Sequence, residues 1–112
     1  VIVDINDPID ESTILLKDNY FYSGYGHGVL SKYARYLTLD GNHFLGNSMY
    51  SVQLINNPTF TNIINVYDGQ YGSITVGLLN YGSGKLANSV NHNTFKNLAY
   101  GWFNTDENSK LE

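Results

Sequence analysis

A recurring pattern of apolar and polar positions organises the chain. Its clearest copy runs from Tyr36 to Phe44: two apolar residues alternate, a turn follows, and then come an asparagine and, two residues later, an aromatic residue. The same order of residue types recurs at 14–21, 60–67 and 88–95. Because successive side chains of a strand point to opposite faces, this alternation predicts short β-strands separated by turns.

An asparagine marks the same point in every copy. The marker residues are Asn19, Asn42, Asn65 and Asn93, which are 23, 23 and 28 residues apart. A second apolar position follows nine or ten residues after each marker, at Val29, Val52, Ile74 and Trp102. Repeats of this length indicate a solenoid, and the lack of a long 3.6-residue periodicity excludes a helical one. A leucine-rich repeat would need a denser leucine pattern, so we expect a coiled parallel sheet.

From about Ile14 to Phe103 the apolar pair, the asparagine and the aromatic residue resemble the right-handed parallel β-helix family. This family includes pectate-lyase-like enzymes, alginate epimerases and phage tailspike or tail-fibre depolymerases. The resemblance implies an all-β fold, a right-handed parallel β-helix (solenoid) segment of about four rungs. Rungs lie about 4.8 Å apart, so the markers would hydrogen-bond as a ladder. The aromatic residues expected to stack in the core are Phe21, Phe44, Tyr67 and Phe95.

We expect three segments along the chain. Residues 1–13 form an acidic N-terminal linker or cap, and 14–110 form the parallel β-helix segment. Residues 111–112 (Leu-Glu) match what a common cloning junction encodes, and the start at Val1 adds to the expectation of a piece excised from a longer protein. The last marker interval is 28 residues instead of 23, which predicts a loop insertion at 79–85, a polar, glycine-rich stretch.

The ends of such a segment would expose unpaired strand edges, which need caps or neighbours. Tailspike members of the resembled family are trimers. The resemblance therefore implies either a homo-trimer or contact with neighbouring β-helix rungs of a parent protein.

Composition agrees with a strand-rich chain with many turns. Charged residues make up 14%, while the chain has 15 Asn, 11 Gly and 10 Tyr. Asn and Gly tolerate the positive φ of tight turns, and Tyr favours strands. The net charge is −4 and the six basic residues are scattered, so we expect no nucleic-acid partner. No apolar run approaches the length of a membrane helix, so we expect no membrane partner.

The acidic start contains candidate metal ligands. Asp4, Asp7 and Asp10 lie in a stretch with five oxygen-bearing side chains within eight residues. Clustered oxygens of this kind bind calcium, and the stretch resembles the Asp-x-Asn-Asp linker of cadherin repeats. The remainder of the chain lacks the other cadherin ligand motifs, so a solvated linker is the favoured interpretation. Calcium is the one cofactor that this stretch suggests.

Three carboxylates are candidate catalytic residues. Asp18, Asp40 and Asp68 lie near turns of the first three units. Enzymes of the resembled family use carboxylates that project from successive rungs, and paired carboxylates can divide acid and base roles in glycoside cleavage. Aspartate is also an ordinary turn residue, and no recognisable set of calcium ligands with a basic residue accompanies the three. The turn interpretation is therefore favoured.

Aromatic and histidine residues are the candidate ligand-binding groups. The predicted binding residues are Tyr20, Tyr22, His27, His43, Tyr71 and Tyr81. Exposed aromatic rings stack on the apolar faces of sugar rings at low entropic cost. An equally weighted alternative is that the tyrosines pack within rungs or against partner subunits.

These observations predict a β-helix segment of a phage tailspike-type or secreted protein that binds or acts on polysaccharide. The partner would be a polysaccharide or cell-surface glycan, and the location would be extracellular or on a virion. One alternative is a catalytic polysaccharide lyase, hydrolase or epimerase domain. The other is a non-catalytic surface adhesin repeat module.

Overall fold

The structure is a computed structural model of the 112-residue chain. It describes residues 1–5, 13–22, 28–46, 50–57, 59–70, 76–81, 85–104 and 110–111, with the backbone alone at 85–91, 104 and 110–111. Every regular element in these ranges is a β-strand, so the described chain is all-β.

Within the described ranges, fourteen strands form three sheets, here named A, B and C. Sheet A consists of β1 (Ile2–Asp4), β4 (Val29–Lys32), β7 (Tyr50–Ile55), β10 (Val76–Tyr81) and β13 (Tyr100–Asn104). Sheet B consists of β2 (Thr13–Lys17), β5 (Tyr36–Asp40), β8 (Thr59–Ile63), β11 (Lys85–Asn91) and β14 (Lys110–Leu111). Sheet C consists of β3 (Tyr20–Tyr22), β6 (His43–Leu45), β9 (Val66–Asp68) and β12 (Thr94–Lys96).

Each sheet takes every third strand of the chain. The order in sheet C is β12-β9-β6-β3, and sheets A and B follow the same rule. Every described strand pair is parallel. The chain therefore passes through B, C and A in turn, and β2–β4, β5–β7, β8–β10 and β11–β13 are four successive three-strand units.

The register aligns equivalent residues of these units. In sheet B, Ile14 lies beside Leu37, and Leu37 lies beside Phe60. In sheet A, Val52 lies between Val29 and Leu78. Leu78 thus holds the place that the sequence pattern gave to Ile74, a residue outside the described ranges.

The prediction of a loop insertion at 79–85 is wrong. Tyr81 aligns with Ile55 and Lys85 with Thr59, so the connection between sheets A and B has the same length in both units. The extra residues enter at two other places. One is the 69–75 segment between sheets C and A, since Asp68 aligns with Leu45 but Val76 aligns with Tyr50. The other is a register shift within β11.

The core lies between the three sheets. Inward side chains of the central units are fully buried, among them Leu37, Leu39, Phe44, Val52, Leu54, Phe60, Tyr67 and Leu78. Apolar and polar residues alternate along the strands because one face of each sheet packs on this core and the other contacts solvent, as in β5.

A left-handed backbone conformation turns the chain from sheet B to sheet C in every unit. The residue before each marker asparagine has positive φ: Asp18 (55°), Gly41 (67°), Ile64 (46°) and His92 (58°). This region is open to Gly, Asn and Asp but costly for a β-branched side chain. The corner therefore has the same backbone conformation in the third unit, although this conformation is unfavourable for Ile64.

Candidate functional site

The outer face of sheet C brings together residues from all four units. The sheet C face is defined here by two aligned columns of outward positions. The first column is Tyr20, His43, Val66 and Thr94, and the second is Tyr22, Leu45, Asp68 and Lys96. Three of the six predicted binding residues, Tyr20, Tyr22 and His43, lie on this face.

A ladder of marker asparagines fixes the edge of sheet C. Oδ1 of Asn42 accepts hydrogen bonds from the backbone nitrogen (2.9 Å) and Nδ2 (3.1 Å) of Asn19. Oδ1 of Asn65 accepts the same pair from Asn42, at 2.8 and 3.0 Å. Oδ1 of Asn93 accepts the pair from Asn65, at 2.9 and 3.4 Å. The predicted asparagine ladder is confirmed.

Beneath the sheet C face the inward aromatic rings form one continuous stack. Ring centroids of Phe21 and Phe44 are 4.7 Å apart, those of Phe44 and Tyr67 are 5.0 Å apart, and those of Tyr67 and Phe95 are 4.7 Å apart. Neighbouring rings are within 7° of parallel. The stack confirms the prediction and holds the short strands of sheet C in register.

On the solvent side, Tyr20 lies at the centre of a second aromatic group. Its ring stacks on the imidazole of His43 with centroids 4.7 Å apart, and on the ring of Tyr22 at 5.8 Å. Both interplanar angles are below 20°. Tyr20 and Tyr22 are 60% and 61% exposed. We call Tyr20, Tyr22 and His43 the Tyr20 cluster.

Asp68 lies in the second column of the sheet C face, at the end of β9, where the chain turns towards sheet A. Its Oδ1 accepts hydrogen bonds from Nδ2 of Asn97 (3.0 Å) and from the backbone nitrogen of Gln70 (2.8 Å). Its Oδ2 lies 3.7 Å from Nζ of Lys96. The hydrogen bond from Asn97, then that from Gln70, and to a lesser degree Lys96 lower the pKa of the Asp68 carboxyl below its ordinary value of 3.8. Asp68 thus has a structural role at this turn.

Asp18 and Asp40 meet at the corner between sheets B and C. The backbone nitrogen of Asp18 donates to the carbonyl of Asp40 (3.0 Å), and Oδ2 of Asp40 lies 3.5 Å from Nζ of Lys17. A β-carbon at Gly41 would lie 2.6 Å from Oδ1 of Asp18, so the carboxylate covers that glycine. Two of the three candidate catalytic residues therefore share a corner, and Asp68 lies at a different one. Their catalytic role stays a prediction.

The other sequence candidates are separated from this face or fall outside the described ranges. Tyr81 is 56% exposed at the end of β10 in sheet A. Asp4 ends β1 and is exposed. The predictions for His27, Tyr71, Asp7 and Asp10 concern residues outside the described ranges. Within the described part of the chain, no group of three His, Cys, Asp or Glu side chains could hold a metal ion.

Sheet A carries an apolar depression that the sequence pattern did not single out. Its volume is about 260 Å³, and its lining residues are Tyr50, Val76, Leu79, Tyr100 and Phe103. The rings of Tyr100 and Phe103 meet edge to face at 5.5 Å. Register across three units creates this depression, since Val76 aligns with both Tyr50 and Tyr100, and no local motif marks it.

Another buried asparagine, outside the ladder, stabilises the corner between sheets A and B. Oδ1 of Asn57 accepts from Oγ of Ser31 (2.8 Å) and from the backbone nitrogen of Ala34 (3.1 Å). Its Nδ2 donates to the carbonyl of Ser31 (2.8 Å). Residues 56–57 are Asn-Asn, a pair typical of turns. Position 34, one 23-residue repeat earlier, is an alanine, so the sequence does not show that this corner recurs.

No helix long and apolar enough to cross a membrane is present among the residues that the structure describes. Comparison with protein-family models, with curated proteins and with solved structures found no match.

Proposed function

We propose that the three parallel sheets are the walls of a right-handed parallel β-helix of about four rungs, each three-strand unit being one rung. The strand order, in which every sheet takes every third strand, supports this proposal. So do the asparagine ladder and the inward ring stack, which repeat from unit to unit. On this proposal, β1 and β14 are parts of further rungs at the two ends.

We further propose that the segment binds carbohydrate through the Tyr20 cluster. The observation that carries the proposal is the exposure of Tyr20 and Tyr22, which expose more than half their surface although each has an aromatic neighbour. Sugars present apolar C–H faces as well as hydroxyl groups. Exposed tyrosines suit both features, because the ring packs on the apolar face and the hydroxyl exchanges hydrogen bonds.

The stacking pattern restricts how a sugar could approach. The face of the Tyr20 ring that meets His43 is covered, since the centroids are only 4.7 Å apart. Among the described strands, β3 is the last strand of sheet C, so no described strand lies against the other side of the Tyr20 ring. A sugar would pack against this open side and across the rim of Tyr22. The imidazole of His43, half-buried beside Tyr20, would limit the depth of contact.

Glycan-array binding followed by titration calorimetry on the strongest glycan tests the proposal. Tyr20→Ala should weaken binding by at least about fivefold, because aromatic rings that stack on bases contribute about 1–3 kcal/mol each and we expect a ring that stacks on a sugar to contribute a similar amount. Tyr36→Ala is the matched control, since Tyr36 is an exposed strand tyrosine on sheet B. Equal binding by the unsubstituted protein and by Tyr20→Ala would show that the Tyr20 cluster is not the binding site. No glycan binding at all would favour the adhesin or scaffold alternative.

The proposed setting is a phage tailspike-type or secreted polysaccharide-acting protein, located outside the cell or on a virion. The partner would be a polysaccharide or cell-surface glycan. Calcium remains the cofactor that the acidic start suggests. Calorimetric titration with calcium, compared with Asp4→Asn, tests that part separately.

A catalytic alternative rests on the corner shared by Asp18 and Asp40, where Lys17 lies 3.5 Å from Asp40. Two carboxylates and an ammonium group at one exposed corner are a chemistry that glycoside cleavage can use. A lyase or hydrolase would be favoured if the unsubstituted protein depolymerises the bound polysaccharide and Asp40→Asn still binds it but no longer cleaves it. Binding without product would favour the binding module.

A further inference from the structure

The outer face of sheet A is shaped by a break in the alternation of its strands. In β10, two consecutive residues point inwards: Leu78 is fully buried, and a β-carbon at Gly77 would lie 3.0 Å from Cδ1 of Phe95. Since successive residues of a regular strand take opposite faces, this inward pair leaves Val76 and Leu79 on the same outer face. Both of them line the apolar depression.

The strands on either side of β10 repeat this break. The equivalent inward pairs are Ser51 with Val52 in β7 and Gly101 with Trp102 in β13. Tyr50 and Tyr100 precede these pairs as Val76 precedes its own, and the register aligns the three residues in one column. The outer column of sheet A therefore reads tyrosine, valine, tyrosine across β7, β10 and β13.

The two tyrosines of this column leave room for one further ring between them. Because Val76 lies between them, Tyr50 and Tyr100 are two strand spacings apart, about 9.6 Å. In the stack inside sheet C, one aromatic ring per unit gives centroid separations of 4.7–5.0 Å. Valine contributes no ring, so the middle place of the column is open to a ring from elsewhere. The depression of about 260 Å³ lies at this place.

The lining of the depression favours a neutral, flat ligand. None of its five described lining residues is charged, and three of them are aromatic. An ionic group placed there would lose hydration without gaining an opposite charge from these residues. Phe103 meets Tyr100 edge to face at 5.5 Å, so a ring contact already holds one wall in place. The tyrosine hydroxyls add a few polar atoms to an apolar surface, which is the usual composition of small-molecule sites.

We propose that this depression binds a small neutral molecule with one aromatic ring, which inserts between Tyr50 and Tyr100 above Val76. The inserted ring takes the place at which an aromatic residue of β10 would complete the column, about 4.8 Å from each tyrosine ring. Because β10 is paired on both sides, the site lies within the sheet. The inference does not depend on glycan binding, since the Tyr20 cluster belongs to another sheet.

Titration with benzyl alcohol, followed by amide chemical shifts in NMR spectra, tests the site. Saturable shifts should centre on the amides of Val76, Leu79, Tyr100 and Phe103. Cyclohexylmethanol, the saturated analogue, should bind at least about fivefold more weakly because it has no π face to stack on either tyrosine. Benzoate, the charged analogue, should also bind more weakly. Absence of saturable shifts with benzyl alcohol, shifts centred elsewhere, or equal binding of either analogue would overturn the proposal.

Variants of the column locate the bound ring. Val76→Phe should abolish binding, because the introduced ring occupies the place of the ligand. Tyr100→Leu removes one wall and should weaken binding by at least about fivefold. Tyr100 is 57% exposed, so this second variant should fold even if Val76→Phe does not. Circular dichroism checks the fold of each variant.

Tyr81→Leu is the matched control, since Tyr81 is an exposed tyrosine of the same sheet outside the depression. It should bind benzyl alcohol as the unsubstituted protein does. Unchanged binding in Tyr100→Leu or in folded Val76→Phe would overturn the proposal. An equal loss in Tyr81→Leu and Tyr100→Leu would overturn it as well.

A sugar is the alternative occupant, and methyl α-glucopyranoside is the probe for it. This sugar should leave the amides of the depression unshifted at concentrations at which benzyl alcohol saturates them. If the sugar shifts these amides and benzyl alcohol does not, the depression is a carbohydrate subsite and the proposal is wrong. Tyr20→Ala should retain benzyl alcohol binding, which separates this site from the Tyr20 cluster, and loss of binding in that variant would contradict the assignment.

Discussion

Oδ1 of Asn65 accepts two hydrogen bonds from Asn42, one from its backbone nitrogen at 2.8 Å and one from Nδ2 at 3.0 Å. Both residues are fully buried. Nδ2 of Asn65 in turn donates to the carbonyl of Leu39 (2.8 Å). Nδ2 of Asn65 also donates to Oδ1 of Asn62 (2.5 Å), so one side chain satisfies four polar groups at the corner between sheets B and C.

Asn65→Ala should therefore destabilise the protein more than its size suggests. It leaves buried donors of Asn42 and a buried carbonyl without their partner, and each such group costs about 1–3 kcal/mol. We expect a loss of about 3 kcal/mol in the free energy of unfolding, measured by urea denaturation. Asn19→Ala is the control at the exposed end of the ladder and should cost clearly less. Equal losses for the two variants would contradict the ladder argument.

Ile64→Asn should stabilise the protein. Ile64 has a φ of 46° and is 50% exposed, so the left-handed conformation costs energy while its side chain gains little from burial. Asparagine tolerates this region, and the expected gain is about 1 kcal/mol. The shift of the thermal midpoint measures it. Gly41→Ala, at the aligned corner, should do the opposite, because alanine is strained at the φ of 67° that glycine adopts there, and its β-carbon would also displace Oδ1 of Asp18.

Asp68 should make stability fall in acid. Its carboxyl has a folded-state pKa below the ordinary 3.8, chiefly because Asn97 donates to it. A lowered folded pKa stabilises the folded state above the unfolded value, and this contribution is lost as pH falls through the folded pKa. Urea unfolding at pH 7 and at pH 3 should therefore show a smaller pH dependence for Asp68→Asn. Asn97→Ala should reduce it in the same direction, and an unchanged dependence in both would contradict the assignment.

The buried pair of Tyr67 and Asn62 should show coupling. The Tyr67 hydroxyl donates to Oδ1 of Asn62 at 2.6 Å, and burial raises the pKa of Tyr67 far above its ordinary value. Nδ2 of Asn62 is buried without a hydrogen-bond partner. Asn62→Leu alone leaves the buried tyrosine hydroxyl without its hydrogen-bond acceptor, which costs about 1–3 kcal/mol. Adding Tyr67→Phe should restore part of that loss in a double-mutant cycle, and purely additive effects would argue against the pair.

Local pattern was sufficient for the repeating parts of the fold. The positions of Asn19, Asn42 and Asn65 at a 23-residue spacing predicted the ladder, because identical corners need identical side chains. Alternation predicted the inward ring of Phe44 and its stacking partners. The strand class followed from the same periodicity.

Irregular parts of the repeat were less predictable. The glycine-rich stretch at 79–85 carried the composition of an inserted loop, yet the register places the extra residues at 69–75 and within β11. Composition reports which residues tolerate turns, whereas the length of each connection is set by strand pairing with the units on either side. Leu78 replaced Ile74 in its predicted column for the same reason.

The candidate site was also predictable only in part. From the sequence alone, Tyr20, Tyr22 and His27 were predicted to flank one turn, His43 to follow a marker asparagine, and acidic residues to lie near the turns of the units. The fold was needed to show that His43 stacks on Tyr20, that Asp18 and Asp40 share a corner, and that Asp68 lies at another. The physical reason is that alternation fixes which face a side chain takes, whereas parallel pairing between units fixes which side chains become neighbours.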